Sequence, residues 1–228
     1  MPDDGRMVDA RRLACVPLFA QLAADALEEL AGSLRPRRLG TGAAVFYRGD
    51  SGTSLCIIDE GRVKIALASA DGREVVIDLL GPGDVFGELA LLDGQARSAD
   101  AVTVEPTRLL LLERDEFIRF LLERPQVAVQ LLGVLAGRLR RDAHLLEDAA
   151  FLDVPARLAR TLLRLAEPGE DGIARTPRLR QTDLAGLTGT TRETLNKWLG
   201  FYHEQGIIRR EEGRIAVLQP DGLRRRIV

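Results

Sequence analysis

Residues 190–199, Thr-Thr-Arg-Glu-Thr-Leu-Asn-Lys-Trp-Leu, put two chemistries on opposite sides of one short helix. Leu195, Trp198, Leu199 and Tyr202 recur at i, i+3, i+4 and i+7, an apolar stripe that needs burial. Arg192, Glu193, Asn196 and Lys197 fall on the other side. Arginine matches guanine, a carboxylate accepts from cytosine, and lysine reaches guanine or phosphate. A helix held by its back and offering such tips suits the major groove of duplex DNA. Trp198 and Tyr202 read as core, and the spacing assigns no role to Asn196.

A second cluster is Phe-Gly-Glu-Leu-Ala-Leu-Leu at 86–92, followed by Arg97-Ser98-Ala99. Gly87 permits close backbone approach, and the turn after it can present free N–H groups to an anion. Arg97 adds a cationic fork and Ser98 a hydroxyl donor. Glu88 disfavours a phosphate and is suited to sugar hydroxyls. The set therefore reads as a grip on one phosphodiester and a ribose. The Lys and Ser/Thr of a Walker loop are missing, which argues against a triphosphate. The competing reading is a buried Glu–Arg pair at a strand end.

The rest of the chain must position these two clusters. Its 228 residues, 46% hydrophobic and 29% charged, suffice for one large or two modest soluble domains. No apolar run approaches the roughly 20 residues of a spanning helix. The N-terminal Met1–Arg6 stretch is polar and lacks a signal-peptide core, so a cytoplasmic location is expected. Cys15 and Cys56 make no disulfide framework, and His144 and His203 are too far apart to suggest a metal centre. From Arg175 onward there are 11 Lys and Arg against 6 Asp and Glu, whereas the remainder carries 21 against 28. A basic segment on an acidic body is the electrostatic footprint of an attached nucleic-acid module.

Residues 9–34 read as short helices, with Leu13, Leu18, Phe19, Leu22, Leu27 and Leu30 as the apolar set. From Arg37 to Glu113 short apolar runs alternate with turns at Gly49-Asp50, Glu60-Gly61, Asp71-Gly72 and Pro82-Gly83-Asp84. Strands at 54–59, 62–68 and 74–80 then predict an all-β sandwich or barrel, with a jelly roll a natural choice. A short helix over 115–123 leads to a long one from 126 to about 152, some 40 Å at 1.5 Å per residue. Ala128, Leu131, Leu135, Leu139, Asp142, Leu146 and Ala149 step by three or four, predicting a two-stranded coiled-coil seam. The alternative is a helix packed on its own domain.

Asp153-Val154-Pro155 restarts the chain, with Asp153 as cap and a helix over 155–167. A loop at 168–172 follows. A helix over 182–187, a turn at Thr188-Gly189-Thr190 and a capping box of Thr190 with Glu193 set up the two-faced helix. Segments 207–210 and 214–218 around Glu212-Gly213 predict a β-hairpin wing. The expected class is α+β: residues 1–125 an effector-binding jelly roll, 126–152 a dimerisation helix, 153–228 a winged helix-turn-helix.

Gly87-Glu88-Leu89 with Arg97-Ser98, the long helix, Phe151-Leu152-Asp153-Val154 and Thr191-Arg192-Glu193-Thr194, in that order, resemble the cyclic-AMP receptor protein/FNR family of transcription regulators. The resemblance runs from about residue 13 to 225. It implies a homodimer that binds an effector in a jelly roll of the cyclic-nucleotide-binding type. It further implies a twofold-symmetric DNA operator and RNA polymerase as partner. The chain lacks the cysteine cluster of the oxygen-sensing branch and resembles the cyclic-AMP-responsive one.

Carried over by position, Glu88 would accept from the ribose 2′-hydroxyl. Arg97, Ser98 and the backbone at Gly87, with Leu89 beside them, would hold the cyclic phosphate, and Arg138 would steady Glu88 or the ligand. Where the family places a Thr-Ser or Thr-Asn pair against adenine, this sequence has Asp142-Ala143. A carboxylate there can accept from the adenine amine or, bidentately, from guanine. On DNA the resemblance implies Arg192, Glu193 and Lys197 at base edges of TGTGA-like half-sites, and Gln181, Thr191 and Thr194 at phosphates. Lys197 replaces an arginine of the best-known member, keeping charge and losing bidentate geometry. Two alternatives remain: an effector-independent DNA-binding protein, or one that answers to cGMP or another nucleotide. An enzyme of cyclic nucleotides would need a metal cluster or a general base beside the phosphate, and no metal is expected.

Overall fold

The computed structural model describes residues 8–69 and 74–227; the polar N-terminal stretch and the expected Asp71-Gly72 turn lie outside them. The chain packs as two units, Met1–Leu67 with Asp78–Arg141, and Ala68–Ile77 with Asp142–Val228.

The first unit opens with helices α1 (Ala10–Leu13) and α2 (Ala24–Ser33). Strands β1 (Arg35–Leu39), β2 (Ala44–Phe46), β3 (Ser54–Glu60), β4 (Val63–Ala68), β5 (Glu74–Leu80) and β6 (Val85–Phe86) follow. Then come α3 (Glu88–Asp93), β7 (Asp100–Thr103), β8 (Thr107–Glu113), α4 (Arg114–Glu123) and the long α5 (Pro125–Phe151), of which the residues from Asp142 on, like Glu74–Ile77 of β5, are counted with the second unit. Two antiparallel four-stranded sheets form the β-roll, ordered β1-β8-β3-β6 and β2-β7-β4-β5. Because strand side chains alternate, β3 serves two cores. Leu55 and Ile57 join Phe19, Leu30, Phe117 and Leu131 beneath the helices, whereas Cys56 and Ile58 face Val63, Phe86 and Ala101.

The long helix carries its apolar residues in a different register from the expected seam. Leu131 is buried in its own unit, and Leu135 packs against the same cluster. Val129, Leu132, Leu139 and Leu146 are 65%, 65%, 71% and 73% exposed instead. Together with Ala136, Ala143 and Ala150 they step 3, 4, 3, 4, 3, 4 along the sequence, the heptad spacing of a helix–helix seam. The expected stripe merged two faces: Leu131 and Leu135 are core, and Asp142 flanks the exposed stripe at Ala143.

In the second unit α6 (Val154–Leu165) is followed by β9 (Glu167–Pro168), β10 (Ala174–Arg175), α7 (Gln181–Thr188) and α8 (Arg192–Glu204). β11 (Ile208–Glu211), β12 (Arg214–Val217) and α9 (Pro220–Arg224) complete it. Asp153 caps α6, its carboxylate accepting from the Ala156 N–H at 3.0 Å. The helix expected to reach 167 ends at Leu165, and the expected loop is flanked by β9 and β10, which extend the wing into a sheet ordered β11-β12-β10-β9. Gly189, at φ 64°, ends α7 in the left-handed conformation that glycine adopts without strain. Arg157 locks that turn from α6, donating Nε to Thr188 O at 3.0 Å and Nη2 to Gly189 O at 3.2 Å. The core of this unit joins Leu158 and Leu162 of α6, Leu184, the inner face of α8 (Leu195, Leu199, Tyr202) and Ile215 and Val217 of the wing.

Candidate functional site

At the first site Gly87 separates β6 from α3 with φ 83°. A side chain at this position would collide with the Arg97 guanidinium, so both conformation and space require glycine. Arg97 returns from the loop after α3 and is 5% exposed. Its Nη1 donates to Gly87 O at 2.6 Å and Nη2 to Ser54 O at 2.8 Å, while the guanidinium stacks 4.2 Å over the Phe46 ring. Burial lowers its pKa from the ordinary value, partly offset by Cys56, Glu88 and Asp50. The sequence led us to expect an open fork; the terminal nitrogens are instead engaged by carbonyls, and Nε alone lacks a partner. Neither the Ser54 carbonyl nor Phe46 carries a sequence signal, since a backbone acceptor belongs to every residue.

Glu88 is 2% exposed at the start of α3. Its Oε1 accepts from Arg138 Nη1 at 2.7 Å, and Arg138 Nη2 also donates to Val85 O. Thus Glu88 does form a buried Glu–Arg pair just after a strand end, as the competing reading expected, but its partner is Arg138 of α5 and not Arg97. Glu88 Oε2 is buried without a partner. An orphaned buried acceptor costs free energy unless something donates to it. Leu89 and Ser98 are exposed beside these groups in sequence, and Asp142 and Ala143 lie exposed further along α5. One cavity, of about 320 Å³, opens onto Arg97 and is lined also by Arg37, Phe46, Asp50, Ser54 and Cys56. Of the expected ligand set it touches Arg97 alone. Among the described residues no group of three or more His, Cys, Asp or Glu could hold a metal ion.

At the second site, Arg192, Glu193 and Lys197 are exposed on α8 while Leu195 and Tyr202 are fully buried. Trp198 is half-buried against the core. The helix cap lies one residue later than expected: Thr191, not Thr190, accepts from the Thr194 N–H at 3.3 Å. The hydroxyls of Thr191 and Thr194 bond to each other at 3.2 Å. Glu193 in the first turn is held below the usual carboxylate range by its own backbone N–H and the Thr191 hydroxyl, so it remains an acceptor. Gln181 Oε1 accepts from Arg192 Nε at 3.2 Å and from Asn196 Nδ2 at 2.9 Å. Asn196 Oδ1 accepts from Arg210 Nη2 of the wing at 3.3 Å.

A two-sheet β-roll with a buried Glu and Arg, a long helix and a winged helix-turn-helix define a DNA-binding regulator with a nucleotide-type effector domain. The Cyclic nucleotide-binding domain family matches residues 36–124, and the Crp-like helix-turn-helix domain family matches residues 156–226. The CRP-like cAMP-activated global transcriptional regulator of Mycobacterium tuberculosis is 38% identical over 218 residues, 94% of this chain and 97% of that protein. The Cyclic AMP receptor protein of Thermus thermophilus is 36% identical over 88% of this chain and 92% of its own length. The crystal structure of Thermus thermophilus Catabolite Activator Protein superposes with a TM-score of 0.54 at 34% identity, covering 92% of this chain and 98% of that one. The chain belongs to the cyclic-AMP receptor protein/FNR family of DNA-binding transcription regulators.

Proposed function

We propose that this regulator is a cytoplasmic homodimer whose hold on a palindromic operator is controlled by a cyclic nucleotide, with cAMP the first candidate. The observation that carries the effector half is a complementary pair of buried, unpartnered atoms: the acceptor Glu88 Oε2 and the donor Arg97 Nε. A sugar hydroxyl would satisfy the first and an anionic cyclic phosphate the second. Ser98 and the backbone at Gly87, with Leu89, would complete the phosphate side, and Arg138 would hold the Glu88 carboxylate in place. One relative named as cAMP-activated and another named as a cyclic AMP receptor protein favour cAMP as ligand. Asp142, with Ala143, would meet the base and leaves guanine nucleotides as rivals.

The exposed stripe of Val129, Leu132, Leu139 and Leu146 supports pairing of two α5 helices. Such a twofold dimer would set two α8 helices about one helical turn apart on DNA. Arg192, Glu193 and Lys197 would read TGTGA-like half-sites, and Gln181, Thr191 and Thr194 would contact phosphates. Effector binding would act by population shift, favouring the dimer arrangement that fits the operator. RNA polymerase is the expected protein partner and no catalysis is assigned. The proposed division keeps residues 1–125 as effector domain, 126–152 as dimerisation helix and 153–228 as DNA-binding domain.

Calorimetric titration with cAMP, cGMP and cyclic di-GMP tests the effector reading. Saturable binding of cAMP that is lost in Glu88→Gln supports it, and heat-silent titrations with all three overturn it. A second reading, regulation without an effector, is favoured by one observation: both terminal nitrogens of Arg97 already have carbonyl partners. The same titrations decide between the two.

A further inference from the structure

Asn196 received no role from the sequence, yet it stands at the centre of a four-residue chain. The polarity of that chain is fixed from both ends. Arginine can only donate, so Arg210 Nη2 at 3.3 Å requires the oxygen of the Asn196 amide on its side. The Asn196 amino group then faces Gln181 and donates to Oε1 at 2.9 Å. That oxygen also takes Arg192 Nε at 3.2 Å, which uses both of its lone pairs. The two amides can therefore be oriented in one way only.

Two consequences follow for Arg192. Its Nε is tied down, leaving the two terminal nitrogens as the donors available to a base edge. The Gln181 oxygen that ties it is itself held by Asn196, and Asn196 by the wing. Arg209, beside Arg210 on β11, is ion-paired with Glu211 at 2.8 Å, and Arg175 shares that same carboxylate at 3.0 Å. Arg210 instead donates to the neutral amide oxygen of Asn196.

We propose that Asn196 is a positioning residue for operator readout: it transmits the placement of wing residue Arg210 through Gln181 to the Arg192 fork. Specificity at the base pair read by Arg192 then depends on a residue that touches no base and on a wing outside the recognition helix. This rests on the reading of α8 as the DNA-reading element.

The test uses the full-length protein, with and without cAMP, and duplexes carrying a TGTGA palindrome or single-position variants of it. The base pair at which Arg192→Ala loses its preference is the Arg192 position. Asn196→Ala is expected to lower discrimination at that position by about 3- to 10-fold, the scale of one or two indirect hydrogen bonds. Discrimination at other positions and the salt dependence should stay unchanged. In the Arg192→Ala background Asn196→Ala should add nothing, as coupled residues require. Arg210→Ala should erode the same position.

An equal loss on every duplex from Asn196→Ala would overturn the proposal, because phosphate contacts and general destabilisation act uniformly. A loss at a different base pair would overturn it too, making Asn196 a direct reader. So would an Arg192→Ala variant that retains full discrimination. A wild-type protein that prefers no palindrome over random duplex would instead refute the DNA-reading role itself. Intact wild-type preference with an unaffected Asn196→Ala variant would refute only the positioning role.

Discussion

Arg138 Nη1 of the long helix donates to Glu88 Oε1 at 2.7 Å, and only one oxygen of that buried carboxylate is used. The pair places a negative charge at the start of a short helix and a positive one on the element that bears the exposed apolar stripe. It ties the candidate effector cluster to the candidate dimerisation helix.

The pair is asymmetric in exposure, 3% for the Glu88 side chain and 18% for Arg138. Removing the arginine strands a buried charge, which costs about 3 kcal/mol or more. Glu88→Gln leaves Arg138 able to turn towards water, so it should cost about 1 kcal/mol. Urea unfolding of Arg138→Ala and Glu88→Gln checks this order; equal losses would mean that the charge pair is not what holds the carboxylate.

Arg97 has a structural share that the sequence did not disclose. Arg97→Ala leaves the Gly87 and Ser54 carbonyls without donors, at about 1–3 kcal/mol each if water cannot reach them. Arg97→Lys keeps one donor and the charge but not the planar fork. We expect both variants to lose cAMP binding, with Arg97→Lys the more stable in thermal unfolding. Full binding by Arg97→Lys would show that a planar donor is not needed.

The seam register gives opposite outcomes for leucines on adjacent faces. Leu139→Arg places a charge in the exposed stripe and removes two leucines per dimer, about 3 kcal/mol or 100-fold in dimer dissociation. Its folded stability should change little. Leu131→Ala should cost about 2–5 kcal/mol of stability, as core truncations do, with the oligomeric state retained. Sedimentation of both variants distinguishes this register from one centred on Leu131.

Cys56 is pushed up to about 12 by burial, against the opposing influence of Arg97 and Arg37, whereas Cys15 is exposed. Iodoacetamide at pH 8 should modify one thiol promptly and the second only after unfolding. The folded pKa lies above the thiol's ordinary value of 9.0. This thiol's contribution to stability is therefore complete below pH about 9 and declines as pH rises towards 12. Equal labelling of both cysteines in the native protein would contradict this burial.

The inner face of α8 was legible because Leu195, Leu199 and Tyr202 share one helical period and nothing else in the segment competes with them. The β-roll was legible through its glycine turns. The seam on α5 was not, because that helix carries apolar residues on two faces. Leu131 and Leu132 lie about 100° apart around the axis, and only the packing of Leu131 beneath β3 tells which face is spent. The types of Glu88 and Arg97 announced a polar site, but their partners did not follow. Arg97 is bound by two backbone carbonyls, and Glu88 by an arginine 50 residues away. The cap falls on Thr191 and not on the expected Thr190, whose N–H is spent closing the end of α7 onto Ala185 O at 3.0 Å.

The most direct test of the account is operator affinity as a function of cAMP, measured by fluorescence anisotropy on a TGTGA palindrome. We predict that saturating cAMP tightens binding by 5-fold or more, roughly the lower end of an allosteric coupling, and that Glu88→Gln abolishes the gain. An affinity that is the same with and without cAMP, cGMP or cyclic di-GMP would contradict effector control.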